Sequence, residues 1–94
     1  MTFRVEWSKA AAKQLVKIPK KERLIIMAWV QENLDGCEDP RRASNGKQLQ
    51  GTDSGWRWRV GVYRVLGKIE DERTIIEVVR VGHRQGVYKN MPRL

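Results

Sequence analysis

From Trp56 to Val60 the chain reads Trp-Arg-Trp-Arg-Val, a strict alternation of bulky apolar and arginine side chains. Successive side chains of a β-strand point to opposite faces, so this pattern fits a strand with one dry face and one wet face. Trp56, Trp58 and Val60 take the dry face, and Arg57 and Arg59 take the other. Gly61 marks a tight turn into a second strand, Val62–Ile69. Glu70-Asp71-Glu72 is a second turn, into a third strand, Thr74–Val81. Three strands with such short connections form an antiparallel meander.

The N-terminal half supplies the cover for the dry face. Thr2–Trp7 alternates Phe3, Val5 and Trp7 with Arg4 and Glu6, the period of a strand. Ser8 reads as the N-cap of a helix over Lys9–Ile18, with Ala11, Leu15 and Ile18 on one face. Pro19 stops that helix and opens a second, Lys20–Leu34, which Gly36 ends. Two helices with almost no loop between them form an antiparallel hairpin. The apolar run Leu24–Val30 covers more than one helical face, which implies burial on one side and a partner on another. Residues 36–55, rich in Gly, Ser, Asn and Pro, read as a long polar connection, and the chain from Gly82 onward as a partly ordered basic tail. The expected fold is α+β, in the order β-α-α-β-β-β: an N-terminal strand, a two-helix hairpin and a three-stranded antiparallel meander. Residues 1–94 form a single domain, with the helices on one face of the sheet and the other face open.

Composition excludes several classes. The longest apolar run is the seven residues Leu24–Val30, far short of the ~20 that span a bilayer. The N-terminus has no apolar signal core. One cysteine, Cys37, allows no internal disulfide, and one histidine, His83, leaves too few ligands for the usual Cys/His zinc sites. The expectation is a cytoplasmic domain with no membrane contact, metal or cofactor.

The charge is uneven. The chain carries a net +8. Residues 40–68 hold seven basic side chains against Asp53 alone, and residues 80–94 hold four basic side chains and no acid. Arginine dominates there, and its planar fork suits phosphate better than the point charge of lysine. Arg64, on the strand after the Gly61 turn, falls about 4.8 Å from the Arg57/Arg59 strand, so one phosphate can share all three. Like charges so placed repel, and a patch that carries this cost suggests a use. The plainer alternative is that the three splay apart and stay hydrated. The third strand runs into Gly82-His83-Arg84, with Tyr88 four residues after Arg84.

These segments carry a resemblance. Gly55-Trp56-Arg57-Trp58-Arg59-Val60-Gly61-Val62-Tyr63-Arg64-Val65 resembles the core motif of the RelE/ParE superfamily of bacterial toxins. Val79-Arg80-Val81-Gly82-His83-Arg84-Gln85-Gly86-Val87-Tyr88 resembles the ending of its RelE branch, and Gly46-Lys47-Gln48-Leu49-Gln50-Gly51 the segment before the core. Val62 stands where the family prefers Asp or Asn. The resemblance implies the toxin of a type II toxin-antitoxin system: an endoribonuclease that cleaves mRNA codons in the ribosomal A site, without metal, by attack of a ribose 2′-oxygen on the adjacent phosphate. Its implied partners are a cognate antitoxin, the ribosome and mRNA, with operator DNA bound only through the antitoxin complex. Exposed members of Leu24–Val30 are candidates for the antitoxin groove.

Carried onto this chain, the family's functional positions are Arg57, Arg59, Arg64, Arg84 and Tyr88, with Lys47 and His83 as RNA contacts. Arg64 and Arg84 suit transition-state stabilisation, because arginine stays charged and can clamp phosphate oxygens. Tyr88 can exchange a proton, stack on a base, or simply anchor the tail. Two other functions stay open: a ParE-like inhibitor of DNA gyrase, and a basic RNA- or ribosome-binding module without catalysis.

Overall fold

The computed structural model describes residues 2–43 and 45–87. Its elements follow the expected order with one addition. Strand β1 is Arg4–Trp7, helix α1 Lys9–Lys17, helix α2 Lys20–Asn33, strand β2 Gly46–Gln48, β3 Gly55–Val60, β4 Tyr63–Glu70 and β5 Ile75–His83. A short 3₁₀ turn, Pro40–Arg42, precedes β2.

Local chemistry sets the helix ends. The Ser8 side chain accepts the Ala11 N–H at 3.0 Å, as an N-cap does. Pro19 is the N-cap residue of α2 rather than its first helical residue, and its carbonyl accepts from Arg23 N–H at 2.9 Å. Gly36 takes φ +85°, a conformation that favours glycine, and its N–H donates to the Phe3 carbonyl at 2.7 Å. That bond, with Phe3 N–H to the Cys37 carbonyl at 2.8 Å, ties the end of α2 to the start of β1.

The sheet has five strands in the order β1-β5-β4-β3-β2. The meander β3-β4-β5 is antiparallel as expected. Two features depart from the expectation. Part of the supposed connection 36–55 is β2, which pairs antiparallel with β3 through Gly46↔Trp58, Lys47↔Arg57 and Gln48↔Trp56. β1 pairs parallel with β5, from Arg4↔Ile75 to Trp7↔Val78.

The core lies between the helices and one face of the sheet. Ala11, Leu15, Ile26, Val30 and Leu34 from the helical side meet Trp58, Val65, Ile69, Ile76, Val78 and Val81 from the strands. Of the four tryptophans only Trp58 is fully buried; Trp7, Trp29 and Trp56 are half-buried. The Trp58 indole N–H finds the Pro40 carbonyl at 3.1 Å, which satisfies the polar end of a buried ring. A bulge lies beside Gly67, with its extra residue on β5: Leu66 pairs with Arg80 and Gly67 with Val78.

The opposite face is less bare than expected. Leu66, Ile75 and Val87 are buried, yet none belongs to the main core. The segment after β5 is part of the fold as far as Val87. Its N–H donates to the His83 carbonyl at 2.9 Å, and its side chain lies against Gly82.

Candidate nucleic-acid interface

The alternation of β3 places Arg57 and Arg59 on the face away from the helices, and pairing adds their neighbours. Arg59 stands opposite Arg64 of β4, and Arg57 opposite Lys47 of β2. Asn45, Gly46, Lys47, Arg57, Arg59 and Arg64 line a cleft of about 200 Å³. Among the described residues its lining holds four cations and no carboxylate. Concentrated positive charge of this kind attracts a phosphate oxyanion, and guanidinium groups can meet it with paired hydrogen bonds.

Neutral groups hold the cleft together. Arg64 Nη1 donates to the carbonyls of Gly61 (3.3 Å) and Tyr63 (3.1 Å), which folds its side chain back over the hairpin turn. Its Nε and Nη2 make no hydrogen bond among the described residues, so they remain available to an anion. Gly61 takes φ +61° while Val62 does not have a positive φ. The turn thus follows the type II′ pattern, with glycine at the first central position. A β-branched residue at Val62 therefore meets no left-handed backbone strain. On the other side, the Arg59 N–H donates to the Asn45 carbonyl at 3.0 Å. Gly46 is pressed against two indoles: a Cβ there would lie 2.6 Å from Trp56 Nε1 and 2.8 Å from Trp58 Cδ1. Only a residue without a side chain lets β2 close this edge of the cleft.

Folding also sorts the arginines of the basic segment. Arg41 makes a two-pronged ion pair with Asp71, at 3.1 and 2.8 Å, and this hydrogen-bonded partner raises the guanidinium pKa further above its ordinary value. Arg42 lies 3.9 Å from Asp39. Glu70 pairs with Arg73 at 2.9 Å and with Lys68 at 4.0 Å. The acidic turn is therefore more than a solvated loop, because it neutralises cations that belong to no ligand site.

The C-terminal candidates separate. Arg84 is exposed, and its N–H donates to the Val62 carbonyl at 2.8 Å, which fixes it at the hairpin end of the sheet, just outside the cleft lining. His83 pairs with Tyr63, whose other partner is the buried Val60, so alternation puts His83 on the helical side and not among the arginines. Its ring meets Tyr63 edge-on at 6.0 Å, and its Nδ1 accepts from Gln85 N–H at 3.2 Å. Tyr88 lies outside the described residues. Sequence reasoning missed Asn45 as part of the cleft wall; its adjacency to Gly46-Lys47 was the available signal. Burial pushes the Cys37 thiol pKa up, assisted by Asp39, which suits a bystander rather than a nucleophile. Among the described residues no three His, Cys, Asp or Glu side chains gather as a metal site requires, and no helix is long and apolar enough to cross a membrane.

The family model described as the ParE toxin of the type II toxin-antitoxin system parDE matches residues 5–88. The chain belongs to the RelE/ParE toxins of type II toxin-antitoxin systems. Within that superfamily the toxin is RelE-like. It is 33% identical over 93 residues to toxin RelG of Mycobacterium tuberculosis, covering 95% of this chain and 99% of that one. It is 32% identical over 94 residues to the putative toxin RelE1 of Methanocaldococcus jannaschii, covering 96% and 99%. The toxin-antitoxin complex RelBE2 of M. tuberculosis contains a chain of the same fold, with a TM-score of 0.77 and 28% identity over 89% of this chain and 93% of that one.

Proposed function

We propose that the toxin is a ribosome-dependent mRNA endoribonuclease that acts in the cytoplasm and cuts codons in the A site, thereby inhibiting translation. The observation that carries this reading is the cleft of Lys47, Arg57, Arg59 and Arg64, four cations with no acid among them. In the proposed reaction a ribose 2′-hydroxyl gives up its proton and its oxygen bonds to the adjacent phosphorus. The bond from phosphorus to the 5′-oxygen breaks, and that oxygen takes a proton. Arg64, with Nε and Nη2 unengaged, and Arg84 at the end of the same hairpin stabilise the charge that builds on the phosphate. Arg57, Arg59 and Lys47 hold flanking phosphates, and Tyr88 serves the proton or stacks on a base. His83 contacts RNA from the helical side of the sheet, apart from the arginine cleft. No residue of this set requires a metal.

The proposed regulator is a cognate antitoxin. Val16, Leu24, Ile25 and Met27 are exposed on the helices, and Lys17, Lys20, Lys21 and Arg23 neighbour them in sequence. Apolar side chains flanked by cations suit an acidic amphipathic segment. The M. tuberculosis relative is itself a toxin-antitoxin complex, which supports this reading. Operator DNA is then reached only through that complex.

The test is addition of the toxin to a translating extract. Discrete cuts within ribosome-bound codons are expected, and Arg64→Ala should slow them by about 10²–10³-fold, the usual effect of removing one oxyanion donor. Intact mRNA with inhibited gyrase supercoiling would instead support the ParE-like reading that the family model's description suggests. Ribosome binding without either effect would leave a non-catalytic binding module.

A further inference from the structure

The bulge in β5 changes which residues face the cleft. Val78 and Val81 are both buried on the helical side, at 0% and 2% exposure. A regular strand places one residue between two such positions; here there are two, Val79 and Arg80. Arg80 pairs with Leu66, which pairs with Arg57, which pairs with Lys47. These four share one row on the face away from the helices. Beyond the end of β1, Ser8 and helix α1 bond to the backbone of β5 on either side of Arg80. Gln14 Oε1 accepts the Val81 N–H at 2.9 Å, and Ser8 Oγ donates to the Val79 carbonyl at 3.4 Å.

We propose that Arg80 is a further RNA-binding residue, aimed by this bulge, which extends the cationic cleft across β4 and takes a second phosphate of the same strand. The inference rests on the RNA-cleaving reading above. The row from Lys47 to Arg80 crosses three inter-strand steps, about 14 Å at about 4.8 Å each. Leu66 has no exposed surface, so the middle of the row is covered and only its charged ends are open to a ligand. The row also has a boundary. Two residues further along, Lys68 pairs with Glu77, which pairs with Glu6 of β1. A polyanion crossing toward β5 meets carboxylates there and arginine at Arg80, so repulsion on one side and attraction on the other set its path.

The experiment measures binding of a short fluorescent single-stranded oligouridine to the full chain over a series of salt concentrations, alongside cleavage in the translating extract. Arg80→Gln is expected to weaken binding roughly tenfold at low salt and to flatten the slope of log K against log salt by about 0.7, the loss of one phosphate contact on a single strand. Cleavage at limiting toxin should fall in step with binding in Arg80→Gln, whereas Arg64→Ala should slow it more than its loss of binding explains. Arg80→Lys should keep the slope, which a purely structural role for the guanidinium would not predict. An unchanged slope in Arg80→Gln, or an equal loss in Arg80→Lys, overturns the proposal. If the unmodified toxin cuts mRNA and binds the oligomer but Arg80→Gln behaves like it, only this inference fails. If the unmodified toxin does neither, the underlying reading fails with it.

Discussion

Arg59 and Arg64 face each other across β3 and β4, and among the described residues the cleft they line has no carboxylate to separate their charges. Arg64 is tethered by two peptide carbonyls, which orient its guanidinium without neutralising it. The two guanidinium groups therefore repel, and a bound phosphate would relieve that repulsion.

Removing one of the pair should stabilise the protein. Arg59→Gln is expected to raise the unfolding free energy by about 0.2–1 kcal/mol, the range for relief of a like-charged cross-strand pair. Urea titration at low and high salt checks this, since screening should shrink the gain. Inorganic phosphate should raise the melting temperature of the unmodified protein more than that of the variant, because it binds only the folded site.

Gly46→Ala should act on both stability and binding. The new methyl meets two indole rings at under 3 Å, so β2 or the tryptophans must move. Overpacking of this kind costs about 1–3 kcal/mol. Because Lys47 and Asn45 flank the substituted position, RNA affinity should fall as well. Tryptophan fluorescence during urea unfolding, and oligouridine binding, read the two effects separately.

Gln14→Ala removes the acceptor of the Val81 N–H. A buried donor left without its partner costs about 1–3 kcal/mol. Amide exchange should accelerate at Val81 more than at the regularly paired residues of β4. Unchanged protection at Val81 would contradict this account of the bulge.

Cys37 gives a pH signature. Burial raises its thiol pKa in the folded state, so folding favours the protonated form. Below the ordinary thiol range both states are protonated and the contribution to stability is full. As pH rises past that range the unfolded chain ionises first, and the contribution is lost on approach to the folded pKa. Alkylation should be slower in the native protein than in the urea-unfolded chain at neutral pH, with the gap closing as pH rises.

The elements legible in the sequence are those whose signal is local. Ser8 marks the start of α1 through its own side chain, Pro19 separates two helices by ring geometry, and Trp56–Val60 declares its faces by alternation. What the sequence hides depends on partners distant in the chain. β2 has three residues, Gly46, Lys47 and Gln48, with no apolar pattern, and exists because β3 pairs with it and two indoles demand a glycine. The bulge at Val79 is not marked within Val78-Val79-Arg80-Val81 itself, yet it decides which face Arg80 takes. His83 was grouped with the arginines by proximity along the chain, and strand alternation puts it on the other side. The arginines of residues 40–68 look alike until Asp71 and Asp39 claim Arg41 and Arg42.

The parallel pairing of β1 with β5 also has a consequence for timing. A ribosome releases Arg4–Trp7 well before the strand that holds them, Ile75–His83. The central position of β5, between β1 and β4, cannot be filled before then. The nascent chain thus lacks a finished sheet until β5 has emerged, and the strands that line the cleft have no central neighbour to pack on before then. A protein proposed to disable ribosomes is in this way incomplete until its fifth strand leaves the one that makes it.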